Sequence, residues 1–121
     1  MQVTRHAERT TVEAEEGIRL AHLGQGSEMN LQYFEVRPGD RLPMHSHRHE
    51  QAGYVFNGTL TFVLADGEEV VVEAGDAYII PADQAHATEN RGEDPADGLD
   101  VFSPPRENLD WAEDTYHELV E

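Results

Sequence analysis

The chain of 121 residues contains neither cysteine nor lysine. Without cysteine there are no disulfides, no thiolate metal ligands and no cysteine nucleophile. No apolar run approaches the roughly 20 residues that a membrane-spanning helix needs. The polar, acidic segment at 1–17 lacks the features of a signal peptide. We therefore expect a cytoplasmic protein that does not bind membranes.

The charge is strongly one-sided. All 8 basic residues are arginine, and 25 acidic residues bring the net charge to −17. Such a surface repels nucleic acid and anionic membranes, so neither is an expected partner. It is either a solvated surface that aids solubility or an adaptation to molar salt, where a Debye length of roughly 3 Å screens neighbouring carboxylates. We favour the second, halophilic interpretation, because self-repulsion at this charge would destabilise an ordinary cytosolic fold.

The length fits one domain, and its central part reads as short strands separated by turns. Asn57-Gly58 and Asp66-Gly67 are strong hairpin signals. Strands of this length with such frequent turns are typical of an antiparallel sandwich or barrel, so the predicted fold class is all-β. The strand segments outside the central run 53–76 are 30–36, 77–82 and 98–103.

The two ends of the chain differ from this pattern. Residues 1–16 are polar and predict an N-terminal arm. Residues 107–121 have apolar side chains at 109, 112, 116, 119 and 120, a spacing that predicts a short C-terminal helix.

Histidines cluster in the stretch "PMHSHRHEQ" at 43–51. Side chains alternate faces along a strand, so His45 and His47 offer two imidazoles to one point. A straight strand could not also bring His49 and Gln51 there, because 45 to 51 spans about 20 Å when extended. The chain must therefore bend between 45 and 51. The alternation of side chains does not decide whether His49 or Gln51 then turns back to the point that His45 and His47 share. Imidazole and oxygen ligands suit Zn, Ni, Fe or Mn.

Two separated segments, "GDRLPMHSHRHEQAGYVFNG" and "GDAYIIPADQAHATEN", resemble the two motifs of the cupins. Gln51 stands where the first motif has a carboxylate, which makes the site less negative and favours Lewis-acid over redox chemistry. Asp83 replaces a turn glycine, so it must tolerate the left-handed backbone region. The motif positions present in this chain are Gly39, His45, His47, Gln51, Gly58, Gly75, Pro81, Asp83, His86 and Asn90.

The resemblance implies a double-stranded β-helix, or jelly-roll barrel, over 17–106, and it implies one divalent metal ion held by His45, His47, Gln51 and His86. The alternative is a metal-free barrel with surface histidines. Buried imidazoles without a metal would, however, need other partners. His49 is expected at the surface or in contact with a ligand rather than as a ligand. The remaining histidines, His6, His22 and His117, lie outside the motifs, and we expect them to be solvent-exposed.

A third segment, "LDVFSPPRE" at 99–107, resembles the C-terminal signature of small cupins similar to the pectin-degradation protein. That group converts 4,5-unsaturated uronates to their open-chain keto form. The resemblance implies that Asp100, Phe102 and Arg106 line the pocket. Asp100 would then transfer protons, Arg106 would bind the uronate carboxylate, and Phe102 would pack on the sugar ring. The alternative for Asp100 and Arg106 is a salt bridge that closes the barrel.

The sequence therefore predicts a metal-dependent isomerase with a small-molecule substrate. The competing hypotheses are a dioxygenase or an aromatic polyketide cyclase on the same barrel, and a non-catalytic sugar- or metal-binding module. The resemblance also implies a homodimer with N-terminal strands exchanged or packed across the interface.

Overall fold

The structure, a computed structural model, describes residues 1–15 and 17–106. Within these ranges the chain forms ten strands, and its only helical element is a 3₁₀ turn at His6–Glu8. The strands are β1 Val12–Glu15, β2 Ile18–Gln25, β3 Asn30–Val36, β4 Arg41–His45, β5 Glu50–Asn57, β6 Thr59–Leu64, β7 Glu69–Glu73, β8 Ala77–Ile80, β9 His86–Glu89 and β10 Ala96–Ser103.

These strands form two antiparallel sheets. The larger sheet has the order β1-β2-β3-β10-β5-β8, and the smaller one has the order β4-β9-β6-β7. The two sheets enclose a shared interior between them, as in a double-stranded β-helix. The predicted all-β jelly-roll class is confirmed.

The interior of the barrel is divided into an apolar part and a polar part. Alternate residues of β3 point inward, and two of them, Phe34 and Val36, belong to the buried apolar core. Towards the other end of the same strand, Asn30 and Gln32 are buried polar residues. The core is completed by Ile18, Leu20, Val55, Leu60, Phe62, Val72, Ile80 and Ala96.

The two predicted hairpin turns have different outcomes. Asp66-Gly67 joins β6 to β7, which pair with each other, so this hairpin is confirmed. The hairpin at Asn57-Gly58 is wrong, because β5 lies in the larger sheet and β6 in the smaller. Gly58 has a φ of 81°, and a Cβ there would lie 2.5 Å from the carbonyl oxygen of Pro95. The glycine therefore serves a sharp crossing between sheets rather than a two-residue hairpin.

The predicted terminal segments are described only in part. The predicted arm at 1–16 contains β1, which pairs with β2 at the edge of the larger sheet. Before it, the His6 ring packs on Tyr33 with 4.2 Å between ring centroids. The predicted C-terminal helix at 107–121 lies outside the described residues. Over the described ranges, no helix has the length and apolar character required to cross a bilayer.

Candidate metal and substrate site

Three imidazoles meet at one end of the barrel. His45 ends β4 and His86 begins β9, and the two are paired in register. His47 lies in the break between β4 and β5, so the predicted bend after His45 is present. Ligand-capable nitrogens of these three residues all lie within 4.8 Å of one another. Two segments distant in sequence thus supply a single cluster.

Backbone carbonyls fix the orientation of each ring. A carbonyl oxygen can only accept a hydrogen bond, so the bonded Nδ1 carries the proton in each neutral imidazole, and Nε2 keeps its lone pair. The Nε2 atom of His47 is buried and has no hydrogen-bond partner within residues 1–15 and 17–106, as expected for an atom that binds an ion. The donor set therefore fits a divalent metal. The three hydrogen bonds that orient the rings run from Nδ1 of His45 to the Pro43 oxygen (3.0 Å), from Nδ1 of His47 to the His49 oxygen (3.0 Å) and from Nδ1 of His86 to the Gln84 oxygen (2.9 Å).

Burial favours the uncharged imidazoles. Desolvation is the largest cause that lowers the pKa of His47, and the guanidinium of Arg106 lowers it further. Desolvation also lowers the pKa of His86, again with a smaller contribution from Arg106. Both rings are thereby kept in the neutral form that binds a metal.

Next to the histidines, a carboxyl group is held by two neutral donors. Asp100 Oδ1 accepts a hydrogen bond of 2.6 Å from the hydroxyl of Tyr78, and the side-chain amide of Gln51 also donates to the carboxyl group. Tyr78 reaches Asp100 across an intervening strand, because Gly53 lies between them in register. A Cβ at Gly53 would lie 2.0 Å from the Tyr78 ring. The missing side chain makes the contact possible.

This environment shifts the acidity of Asp100. The residue is 7% exposed, and desolvation raises its pKa to about 6. The hydrogen bonds from Tyr78 and Gln51 oppose this rise, and the positive charge of Arg106 opposes it least. Desolvation likewise raises the pKa of Tyr78 well above its usual value, so Tyr78 stays a donor.

The predicted residues Phe102 and Arg106 are neighbours. The Arg106 guanidinium carbon lies 4.9 Å from the Phe102 ring centroid, within the range of a cation–π contact. The Arg106 amide donates a 2.7 Å hydrogen bond to the Asn30 side chain. The Phe102 ring also meets His47 edge-on at 5.7 Å, so its packing partners include protein groups on more than one side.

A cavity of about 660 Å³, counted with its open mouth, connects these groups. Its walls are mixed, because both apolar and polar side chains line it. The polar lining residues are Gln32, His45, Gln51, Tyr78, His86, Thr88, Asp100 and Arg106. All the predicted site residues except His47 line this cavity, and His47 belongs to the histidine cluster with His45 and His86.

Some sequence predictions about single residues need correction. His22 was expected to be exposed but is only 7% exposed. His49 is equally buried, so it is not a surface residue. It lies beside His47, and its backbone carbonyl orients the His47 ring.

Other predictions about single residues are confirmed. His6 is exposed as predicted. Asp83 has a φ of 67° and so adopts the left-handed conformation predicted for it. His117 lies outside the described residues.

Sequence reasoning missed Tyr78, Gly53 and Gln32. Each sits in a segment that reads simply as a strand, and their proximity to Asp100 depends on which strands become neighbours. The residue parity of β3 would have placed Gln32 on the same face as Phe34. No sequence signal could have shown that Tyr78 leans over Gly53.

Residues 32–102 match the family model described as a cupin domain. The chain belongs to the cupin family. The match covers both histidine segments and all of β10 except Ser103, and so includes Asp100.

Relatives and similar structures agree with this cupin assignment. The H2HPP isomerase of Bacillus subtilis is 33% identical over 70 residues, which is 58% of this chain and 29% of that protein. The tetracenomycin polyketide synthase protein TcmJ of Streptomyces glaucescens is 35% identical over 82 residues, 65% of this chain and 54% of that protein. The structure of KdgF from Halomonas sp. superposes with a TM-score of 0.81 at 24% identity, covering 90% of this cupin and 98% of KdgF.

Proposed function

We propose that this cupin is a metal-dependent isomerase that converts 4,5-unsaturated uronates to their open-chain keto form. One observation carries the proposal: Asp100 and Arg106 line the same cavity as His45 and His86, which form a cluster with His47. Such an isomerisation needs an acid–base group, a cation that binds the substrate carboxylate and a set of metal ligands.

The reaction needs one proton to move and no co-reactant. Ring opening takes the proton from the anomeric hydroxyl, forms the C1 carbonyl and breaks the bond between C1 and the ring oxygen. The electron pair on that oxygen then forms the C5 carbonyl, and C4 gains a proton. Asp100 accepts the first proton and supplies the second, since its pKa of about 6 makes both protonation states accessible near neutrality.

The four proposed metal ligands are His45, His47, His86 and Gln51, and they would hold one divalent ion of Zn, Ni, Mn or Fe. When bound, the ion supplies charge stabilisation at a substrate oxygen. Because the Gln51 amide nitrogen donates to Asp100, its carbonyl oxygen is the atom left for the ion. Gln51 would thus link the metal site to the acid–base group.

Arg106 is the proposed binding group for the uronate carboxylate, since a guanidinium matches a carboxylate with two parallel hydrogen bonds. Its contact with Phe102 holds the guanidinium plane at the cavity. We assign Phe102 mainly this supporting role, because the ring contacts both Arg106 and His47. These contacts leave less of the ring for a sugar than the sequence alone implied.

A second candidate function, cyclisation of an aromatic polyketide, is favoured by the similarity to TcmJ and by the apolar side chains in the cavity lining. The polar side chains in the same lining weigh against it. A planar polyketide would leave the Gln51–Asp100–Tyr78 network without an evident purpose. The isomerase proposal uses Asp100 and Gln51, and Tyr78 fixes the carboxyl group that it needs.

The deciding experiment is a turnover assay with unsaturated uronates released by pectin lyase or by alginate lyase. Wild-type protein purified without chelator or affinity tag should accelerate the loss of ultraviolet absorbance of the C4–C5 double bond. Asp100→Asn should lose at least about 100-fold in rate, the usual range for an acid–base group. The exposed Asp94→Asn variant is the matched control. A wild-type rate equal to the spontaneous rate for both substrates would contradict the proposal.

A further inference from the structure

Two polar side chains in the cavity have no part in the proposed reaction. Gln32 comes from β3 of the larger sheet and is 5% exposed, and Thr88 comes from β9 of the smaller sheet and is 8% exposed. Both line the cavity that holds Asp100 and Arg106. They therefore approach the same space from opposite walls of the barrel.

Gln32 is placed directly beside the proposed acid–base group. It pairs in register with Asp100 on the neighbouring strand, on the side opposite to Gly53. Tyr78 and Gln51 hold Asp100 through hydrogen bonds, whereas Gln32 makes no side-chain hydrogen bond within residues 1–15 and 17–106. Its amide is open to the cavity rather than sealed in the wall.

Thr88 has a similar position on the other sheet. It pairs with Leu42 on one side and Phe62 on the other, both apolar neighbours that offer its hydroxyl no partner from their side chains. Across the part of the chain that the structure describes, its side chain forms no hydrogen bond. Buried amides and hydroxyls are nearly always hydrogen-bonded in native proteins. Because both residues line the cavity, the amide of Gln32 and the hydroxyl of Thr88 can bond to a molecule that occupies it.

We propose that Gln32 and Thr88 bind hydroxyl groups of the substrate and thereby select a polyhydroxylated sugar acid over a planar or apolar acid. This inference rests on the proposed function and names two residues that would decide its substrate class. An amide offers two donors and an acceptor, and a threonine hydroxyl offers one donor and two acceptor lone pairs. Together they match neighbouring ring hydroxyls. An occupant without hydroxyls would leave both groups unpaired, which is how a polar site rejects an apolar analogue.

The test compares two carboxylates that differ only in ring hydroxyls. D-glucuronate and tetrahydropyran-2-carboxylate share the ring oxygen and the carboxylate, and only the first carries hydroxyls. Calorimetric titration of each into wild type, Gln32→Leu, Thr88→Val and Arg106→Ala separates hydroxyl binding from carboxylate binding. Thr61→Val is the matched control, because Thr61 is a buried threonine that does not line the cavity.

Gln32→Leu and Thr88→Val should each weaken glucuronate binding by about 3- to 10-fold, the value of one or two hydrogen bonds. Their affinity for tetrahydropyran-2-carboxylate should stay within twofold of wild type. Arg106→Ala should weaken both ligands, and Thr61→Val neither. The inference is overturned if the two ligands weaken equally in Gln32→Leu and Thr88→Val, if neither weakens, or if wild type does not bind glucuronate.

These measurements separate the inference from the proposed reaction. Binding is measured without turnover, so glucuronate affinity that depends on Gln32 would stand even if unsaturated uronates were not converted. Conversely, rapid conversion of uronates by Gln32→Leu with an unchanged KM would remove this inference and leave the isomerase intact. Urea unfolding of each variant shows whether a lost affinity reflects a lost fold.

Discussion

Gly53→Ala should destabilise the protein far more than glycine substitutions at open strand positions. The added Cβ would lie 2.0 Å from Tyr78 Cζ, 2.3 Å from its hydroxyl oxygen and 2.4 Å from Cε1. None of these distances is tolerable, so the Tyr78 ring must move. It cannot move without loosening its hydrogen bond to Asp100 or its packing on Phe62, where the ring centroids are 4.9 Å apart.

The magnitude follows from two contributions. Overpacking a well-filled interior costs about 1–3 kcal/mol. Loss of the hydrogen bond to a buried carboxyl group costs about 1–3 kcal/mol more. We expect the free energy of unfolding to fall by roughly 2–6 kcal/mol. With an m-value of about 2 kcal/mol/M, the urea midpoint should drop by about 1–3 M.

The matched control is Gly24→Ala, since Gly24 is also in a strand but a Cβ there meets nothing within 4 Å. Its midpoint should be unchanged or slightly raised, because alanine restricts the unfolded chain. A second test uses Tyr78→Leu, which removes the ring. Gly53→Ala should lower the free energy of unfolding much less in the Tyr78→Leu background than in wild type. The difference between the two effects, the coupling energy, should be at least about 1 kcal/mol. Equal midpoints for Gly53→Ala and Gly24→Ala would refute the proposed crossing of Tyr78 over Gly53.

Three further predictions concern the metal, the proposed catalytic groups and the charge. His45→Ala should lose the bound ion, measured by elemental analysis of protein purified without chelator, and retention of a full equivalent would disprove its role as a ligand. Asp100→Ala and Arg106→Ala should lose turnover while circular dichroism and metal content stay at the wild-type level; if Asp100→Ala unfolds the protein, the group is structural instead. The urea midpoint should rise from dilute buffer to molar KCl, because screening relieves repulsion within a chain of net charge −17; equal stability in both would argue for a merely solvated surface.

Local signals predicted the all-β class, and the resemblance to the cupin motifs implied the jelly-roll barrel and the residues of the proposed site. His45 and His47 share parity within one segment, and His86 follows a recognisable turn in which Asp83 takes the left-handed conformation. Along β10, buried and half-buried residues alternate, and Asp100 and Phe102 are both buried on the same face. These features are set by spacing along the chain, which a sequence displays directly.

What escaped prediction depends on contacts between strands. The hairpin expected at Asn57-Gly58 failed because local turn chemistry does not reveal that the chain changes sheets there. The burial of His22 was missed because it depends on β2 lying beside β3 within the larger sheet. Tyr78 joins Asp100 only because β5 separates their strands and carries a glycine at the crossing point. Such neighbours are a property of the assembled sheet.

The position of β10 affects how the chain can fold during synthesis. It is the last strand of the described chain, yet it lies in the middle of the larger sheet, between β3 and β5. Until Ala96–Ser103 has been made, β3 and β5 each have an unpaired edge that faces an empty slot, and such edges favour aggregation. The strand that fills the slot also carries Asp100 and Phe102. Completion of the larger sheet therefore also brings the proposed acid–base group to the proposed metal ligands.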